Sequence, residues 1–201
     1  MVVLGNDRGK LHALRLSDGT ELWSYSSGDT IWSSPALGDL DGDGADEIAF
    51  TNKTTLFVLE LDGSLAWSAA AGQWLTTPAL ADLDGDGDLE AVLYDAALGQ
   101  LEAFDYGNST PLWKVNVEPF SMGRSHFPPS PAVGDVDADG LLEAVIGANR
   151  TLWCVDAATG SVEWSQVVTE DGDTIMGSPV LADLDGLAAG DGGKLEIVIT
   201  G

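Results

Sequence analysis

Carboxylates recur at alternate positions in three short stretches of the chain. The first is Asp39-Leu40-Asp41-Gly42-Asp43-Gly44-Ala45-Asp46-Glu47. When a chain wraps around a point, acids at positions 1, 3 and 5 converge on it, and glycine at position 6 permits the sharp turn. The backbone carbonyl of position 7 and the acid at position 9 then complete an oxygen shell. An all-oxygen shell of this size suits Ca2+, which takes about 6–8 oxygen ligands in irregular geometry. The first loop offers Asp39, Asp41, Asp43, the Ala45 carbonyl and Glu47. The second offers Asp82, Asp84, Asp86, the Asp88 carbonyl and Glu90, and the third Asp135, Asp137, Asp139, the Leu141 carbonyl and Glu143. A fourth copy is interrupted. Asp183 and Asp185 are followed by an insertion before Asp191, and Glu196 stands one residue further from Asp191 than the pattern asks. Three or four calcium ions per chain are therefore expected. Asp and Gly also make ordinary turns, but a turn needs no three acids at alternate positions in three copies. Without a cation those acids repel one another. An EF-hand is excluded, because position 12 is Phe50, Leu93 or Ile146, each inside an apolar run.

The elements that must position these loops repeat with them. Ser34-Pro35-Ala36-Leu37, Thr77-Pro78-Ala79-Leu80, Ser130-Pro131-Ala132-Val133 and Ser178-Pro179-Val180-Leu181 each precede an acid loop, with prolines 43, 53 and 48 residues apart. A Trp recurs out of phase with them, at Trp23, Trp67, Trp113 and Trp164. Each unit reads as four strands: a short strand a, the acid loop, a wholly apolar strand b, an alternating strand c, an Asp/Gly turn, and a strand d carrying the Trp. Strands b that are apolar on both faces belong between neighbouring sheets. Repeated four-stranded units of this length predict an all-β propeller. The repeats fall near 1–30 (strands b–d), 31–73, 74–126, 127–174 and 175–201 (strands a and b). Three complete blades and a split fourth fit this phase. So does a piece of a larger ring, since strand b occurs at both ends, one copy more than clean closure needs.

Composition narrows the function. Asp and Glu number 33 against 8 Lys and Arg in 201 residues, a formal charge of -25. Such a polyanion does not bind nucleic acid or an anionic membrane by electrostatics. No apolar run approaches the ~20 residues of a membrane span, so membrane insertion is not expected. The single Cys154 lies in an apolar strand and reads as a core residue.

Two family patterns are carried by these residues. Asp-Leu-Asp-Gly-Asp-Gly-x-x-Glu between two strands resembles the FG-GAP, or VCBS-type, calcium-binding repeats of integrin α-subunit propellers and of many exported bacterial proteins. Leu11-His12-Ala13-Leu14-Arg15-Leu16-Ser17-Asp18-Gly19-Thr20-Glu21-Leu22-Trp23 is similar to the strand pattern of quinoprotein-type (PQQ-like) propeller repeats. The resemblance implies a seven- or eight-bladed ring, which favours the reading as a fragment. It also implies an extracellular or periplasmic setting, with a signal sequence outside this chain. Adhesion, carbohydrate binding, assembly and polysaccharide lysis all occur on such propellers, and the repeat itself selects none of them.

Recognition is expected on the face opposite the acid loops, where the d–a connections vary in length and content. Trp32 and Trp74 lie there, and the longest connection carries Arg124, His126 and Phe127. The rings offer stacking area for a sugar or a peptide and the guanidinium a fork for a carboxylate, although plugging the channel is the more ordinary role for such an aromatic cluster. His12 has no partner visible in the sequence. No nucleophile–base set appears, so a non-enzymatic scaffold for a protein or carbohydrate ligand is the leading expectation. The alternative is the propeller part of a calcium-dependent polysaccharide lyase.

Overall fold

A computed structural model of the chain describes residues 1–120, 128–170, 173–184 and 194–200. Every regular element among them is a strand, and the strands form five antiparallel sheets in chain order. The first holds β1 (Val2–Gly5), β2 (Lys10–Leu14) and β3 (Glu21–Ser26). The second holds β4 (Ala36–Gly38), β5 (Glu47–Thr51), β6 (Thr55–Leu59) and β7 (Leu65–Ala70). The third is β8 (Ala79–Ala81), β9 (Glu90–Asp95), β10 (Gln100–Phe104) and β11 (Trp113–Asn116). The fourth is β12 (Ala132–Gly134), β13 (Glu143–Ala148), β14 (Thr151–Asp156) and β15 (Val162–Val167). The last pairs β16 (Val180–Ala182) with β17 (Glu196–Val198).

Each sheet is an up-and-down meander, and the strands a of successive sheets (β4, β8, β12, β16) lie side by side. This is a row of propeller blades. The strands b, β5, β9 and β13, are buried along their whole length, as their two-sided apolar character requires. Their side chains feed separate clusters between neighbouring blades. One gathers Leu11, Ile48, Phe50 and Leu59, and a larger one gathers Tyr94, Leu101, Ala144 and Ile146.

Two devices join one blade to the next. The repeated Trp of strand d reaches the c–d turn of the following blade. Trp23 Nε1 donates to the Leu61 carbonyl at 2.9 Å, and Trp113 Nε1 to the Ala157 carbonyl at 2.8 Å. In both turns a glycine, Gly63 or Gly160, leaves room for the ring: a Cβ there would stand 2.6 Å from Trp23 or 2.7 Å from Trp113. Trp67 instead packs on Tyr106 of the next turn, with ring centroids 5.9 Å apart. The second device is a relay of hydroxyls near strand a. The N–H of Ser34 donates to Thr77 Oγ1, that of Thr77 to Ser130 Oγ, and that of Ser130 to Ser178 Oγ.

Candidate metal centres and the aromatic face

The three acid loops fold alike. The N–H of position 6 (Gly44, Gly87, Gly140) donates to the carboxylate of position 1 (Asp39, Asp82, Asp135). The N–H of position 5 donates to the acid at position 3, and that of position 7 to the acid at position 5. These bonds turn the side chains inward. One carboxylate oxygen from each of Asp39, Asp41 and Asp43 lies within 4.8 Å of the others, and so do those of Asp82, Asp84 and Asp86. In the third loop the convergent set is Asp135, Asp137 and Glu143; the acid at position 9 takes the place expected of Asp139.

The glutamate at position 9 also braces its loop. Glu47 Oε2 accepts the Leu40 N–H, Glu90 Oε2 that of Leu83, and Glu143 Oε2 that of Val136. All three glutamates are buried at the base of their loops. Burial raises each above the usual carboxylate range, and the neighbouring aspartates reinforce the shift; Glu90 is pushed up to about 7. In the first loop Asp39 Oδ1 and Glu47 Oε1 are buried without a hydrogen-bond partner among the described residues. Unpaired buried carboxylate oxygens are costly, and together with the all-oxygen donor set they fit a hard divalent cation. The neighbouring blade presses on this loop as well. The Asp88 carboxylate sits against Gly42, and Leu89 N–H donates to the Asp39 carbonyl at 3.2 Å. Desolvation and then the nearby Asp86, Asp39 and Asp41 raise Asp88 too.

The fourth loop keeps one element of the pattern, Leu184 N–H donating to Glu196 Oε2 at 2.7 Å. Asp183 is described, whereas Asp185 and Asp191 lie outside the described residues.

The opposite face carries the d–a connections. The N–H groups of Ile31, Trp74, Phe120 and Ile175 donate to the b–c turn carbonyls of Asn6, Lys53, Ala96 and Asn149 of their own blades. Trp32 and Trp74 come together across two blades, with centroids 5.4 Å apart and a tilt of 48°. Lys53 Nζ stands 5.4 Å over the Trp32 ring and 3.2 Å from Asp29. Trp32 is 42% exposed. Trp74 holds a φ of 62°, an unusual conformation for a bulky residue. The two rings open into a pocket shared with Thr76, Thr77, Pro128 and Ser130. Arg124, His126 and Phe127 lie outside the described residues.

His12 is not without partners: Nδ1 meets Glu21 Oε2 at 2.7 Å and Nε2 meets Asn6 Nδ2 at 3.1 Å. Sequence reading misses these contacts because each pairs His12 with a residue outside its own strand, Glu21 in β3 and Asn6 in the turn between β1 and β2. It misses the hydroxyl relay for the same reason, although the signal, a Ser or Thr before each repeat proline, stands in plain view.

A row of four-stranded blades with strand a innermost defines the class: the chain is a β-propeller. The family described as outer membrane protein assembly factor BamB matches residues 97–195, a little under half of the chain. Its match agrees with the quinoprotein-type repeat pattern. No curated protein sequence matches. Among solved structures the chain is similar to BamB from Moraxella catarrhalis, with 16% identity over 90% of this chain and 53% of that one and a TM-score of 0.66. It is similar to BBS1N, solved in complex with ARL6DN, with 10% identity, coverage of 98% and 52%, and a TM-score of 0.63. It is also similar to the computationally designed Ika8 protein, with 13% identity, coverage of 98% and 55%, and a TM-score of 0.62. The chain thus spans about half the length of each of these structures.

Proposed function

We propose that the chain is a non-enzymatic propeller scaffold that holds calcium in its acid loops and receives a protein partner on the opposite face. The observation that carries the reading is the division of labour between the two faces. The acid loops repeat one hydrogen-bond pattern from blade to blade, as a shared structural task requires. The d–a face breaks the repeat, pairing the exposed Trp32 with Trp74 beside the cationic Lys53. Rigid aromatic rings with a charged neighbour are the composition of interface hot spots. A protein partner is favoured over a glycan because the family that matches residues 97–195 is described as an assembly factor and one structural neighbour was solved in complex with ARL6DN. An extracellular or periplasmic setting, where calcium is plentiful, accords with loops of this type.

The test is a Trp32→Ala, Trp74→Ala double variant, with Trp32→Ala alone beside it to avoid the constrained backbone at Trp74. Both are screened against a displayed peptide library and a glycan array. The expected result is that the parent retains peptides and the variants do not, while melting temperature and calcium titration are unchanged. Retention of glycans alone would change the ligand class, and equal retention by parent and variants would remove the site.

A further inference from the structure

Each acid loop is bordered by positions 7 and 8 of the loop in the following blade. At position 8, Leu89 packs on Gly38, the residue before the first loop, where a Cβ would collide with it. Leu195, one residue before Glu196 in the fourth loop, stands in the same way over Gly134, the residue before the third. Leu142 and Ala81 hold these places between the third and second loops and pack on one core cluster. The register is therefore constant from blade to blade. The residue one place earlier borders the preceding loop in each case: Asp88 for the first loop, Leu141 for the second and Lys194 for the third.

These three residues differ in charge and in reach. The Asp88 carboxylate lies against Gly42, in the space a Cβ there would need, and Leu89 N–H ties the same segment to the Asp39 carbonyl at 3.2 Å. Leu141 stands off: it is 57% exposed, and Gly85, the counterpart of Gly42, has nothing within 4 Å of the position its Cβ would take. Lys194 is exposed and carries the opposite sign. The charges acting most on Asp88 are all acidic, namely Asp86 and Asp105 of its own blade and Asp39 and Asp41 of the first loop. Like charges so placed repel one another, and a cation in the first loop reverses the sign of the contact. That loop also holds a wholly buried glutamate, Glu47, whose Oε1 has no hydrogen-bond partner among the described residues.

We infer that Asp88 is a cross-blade acid of the first loop's cation site, and that the position-7 residue of the following blade grades the loops, so that the first fills before the second and the third fills last. The inference rests on the reading of the loops as calcium centres. Their own acids are the same at positions 1, 3, 5 and 9, so the neighbour supplies the difference in charge. Asp88 attracts a divalent cation into the loop before it, Leu141 is neutral towards one, and Lys194 repels one. Asp88 thus serves two loops, its own through the backbone carbonyl and the first through the side chain.

The test titrates calcium chloride into the metal-stripped 201-residue chain and follows the heat. The parent is expected to fill in resolved steps, and Asp43→Asn, which removes a ligand of the first loop, to delete the tightest. Asp88→Asn keeps the carbonyl and discharges the side chain. It is expected to weaken the tightest step about tenfold, the order of effect of one charge near a divalent cation at a protein surface, and to leave the other steps unchanged. In the Asp43→Asn background Asp88→Asn should change nothing further, whereas a role confined to its own loop would persist there. Leu141→Asp moves the acid beside the second loop and should tighten the step that Asp86→Asn deletes. This gain of affinity keeps the test decisive if Asp88→Asn alters the circular dichroism spectrum. Equal steps in the parent would overturn the inference, as would a weakening by Asp88→Asn that survives loss of the first loop, or a second loop indifferent to Leu141→Asp. A parent that takes up no calcium would overturn the reading of the loops themselves, a failure distinct from loops that bind but are not graded.

Discussion

At position 4 of the acid loops two residues are glycine and one is not. Gly42 and Gly85 have φ of 72° and 81°, and Ala138 holds the same left-handed conformation at 63°. For a residue with a Cβ that region costs about 1–2 kcal/mol. Glycine restores the freedom but adds chain entropy to the unfolded state, returning roughly 0.4–1 kcal/mol of the gain. Ala138→Gly is therefore expected to stabilise the chain by about 0.5–1 kcal/mol, read from the midpoint of urea unfolding. A lowered midpoint would mean that the methyl group makes a contact worth more than the strain. The third loop thus departs from the others twice, in its strained position 4 and in the use of Glu143 instead of Asp139 among the convergent acids. Spacing alone put the three loops on equal footing. It is silent on which oxygens turn inward, because the backbone N–H groups that each carboxylate accepts decide that.

Between blades the same residue type has two fates, and burial decides the energy. Trp113 is 9% exposed and hydrogen-bonded to the next blade, while Trp164 presents its ring to solvent. Truncating a packed aromatic costs about 3–5 kcal/mol; truncating an exposed one costs within about 0.5 kcal/mol. Trp113→Ala should thus lower the unfolding free energy several-fold more than Trp164→Ala, as read from urea unfolding. Equal losses would show that Trp164 is packed in the isolated chain. What the sequence makes legible at this scale is whatever lies within one unit. The strands b are visible because they are apolar at every position, and the acid loops because their ligands lie within nine residues. The joint is legible only in part. The repeated Trp announces packing between blades, but its acceptor in the following turn lies 38 or 44 residues on, and the hydroxyl relay spans 43 to 53. Contacts of that separation have no signature in local spacing. Within a blade the exception is the Lys114–Glu102 pair, 12 residues apart, which depends on the register of β10 against β11 and leaves the glutamate almost wholly buried.

Across the whole molecule, 33 acids and 8 basic residues share one fold, and the acid excess is concentrated where blades meet their loops. Four glutamates (Glu47, Glu90, Glu102 and Glu143) are held above their ordinary value of 4.5, chiefly by burial. The folded state therefore keeps protons that the unfolded chain has already released. Linkage gives the sign: wherever the native state binds more protons, stability falls as pH rises. Metal-free protein should be most stable near the bottom of this range. It should lose stability from pH 4.5 upward through the raised values, which for Glu90 means through about 7. A cation inverts the slope, since it binds only deprotonated carboxylates and competes with their protons. A site at one hundred times its dissociation constant adds about 2.7 kcal/mol to the folded state, and three such loops add in proportion if they act independently. The expected pattern is a melting temperature that falls with pH in chelator and holds or rises with pH in millimolar calcium, so that the two curves diverge above pH 6. Sodium chloride at equal ionic strength screens the repulsion without filling the loops, and should recover only part of the difference. If calcium and sodium chloride proved interchangeable at matched ionic strength, the loops would be charged turns and not metal centres.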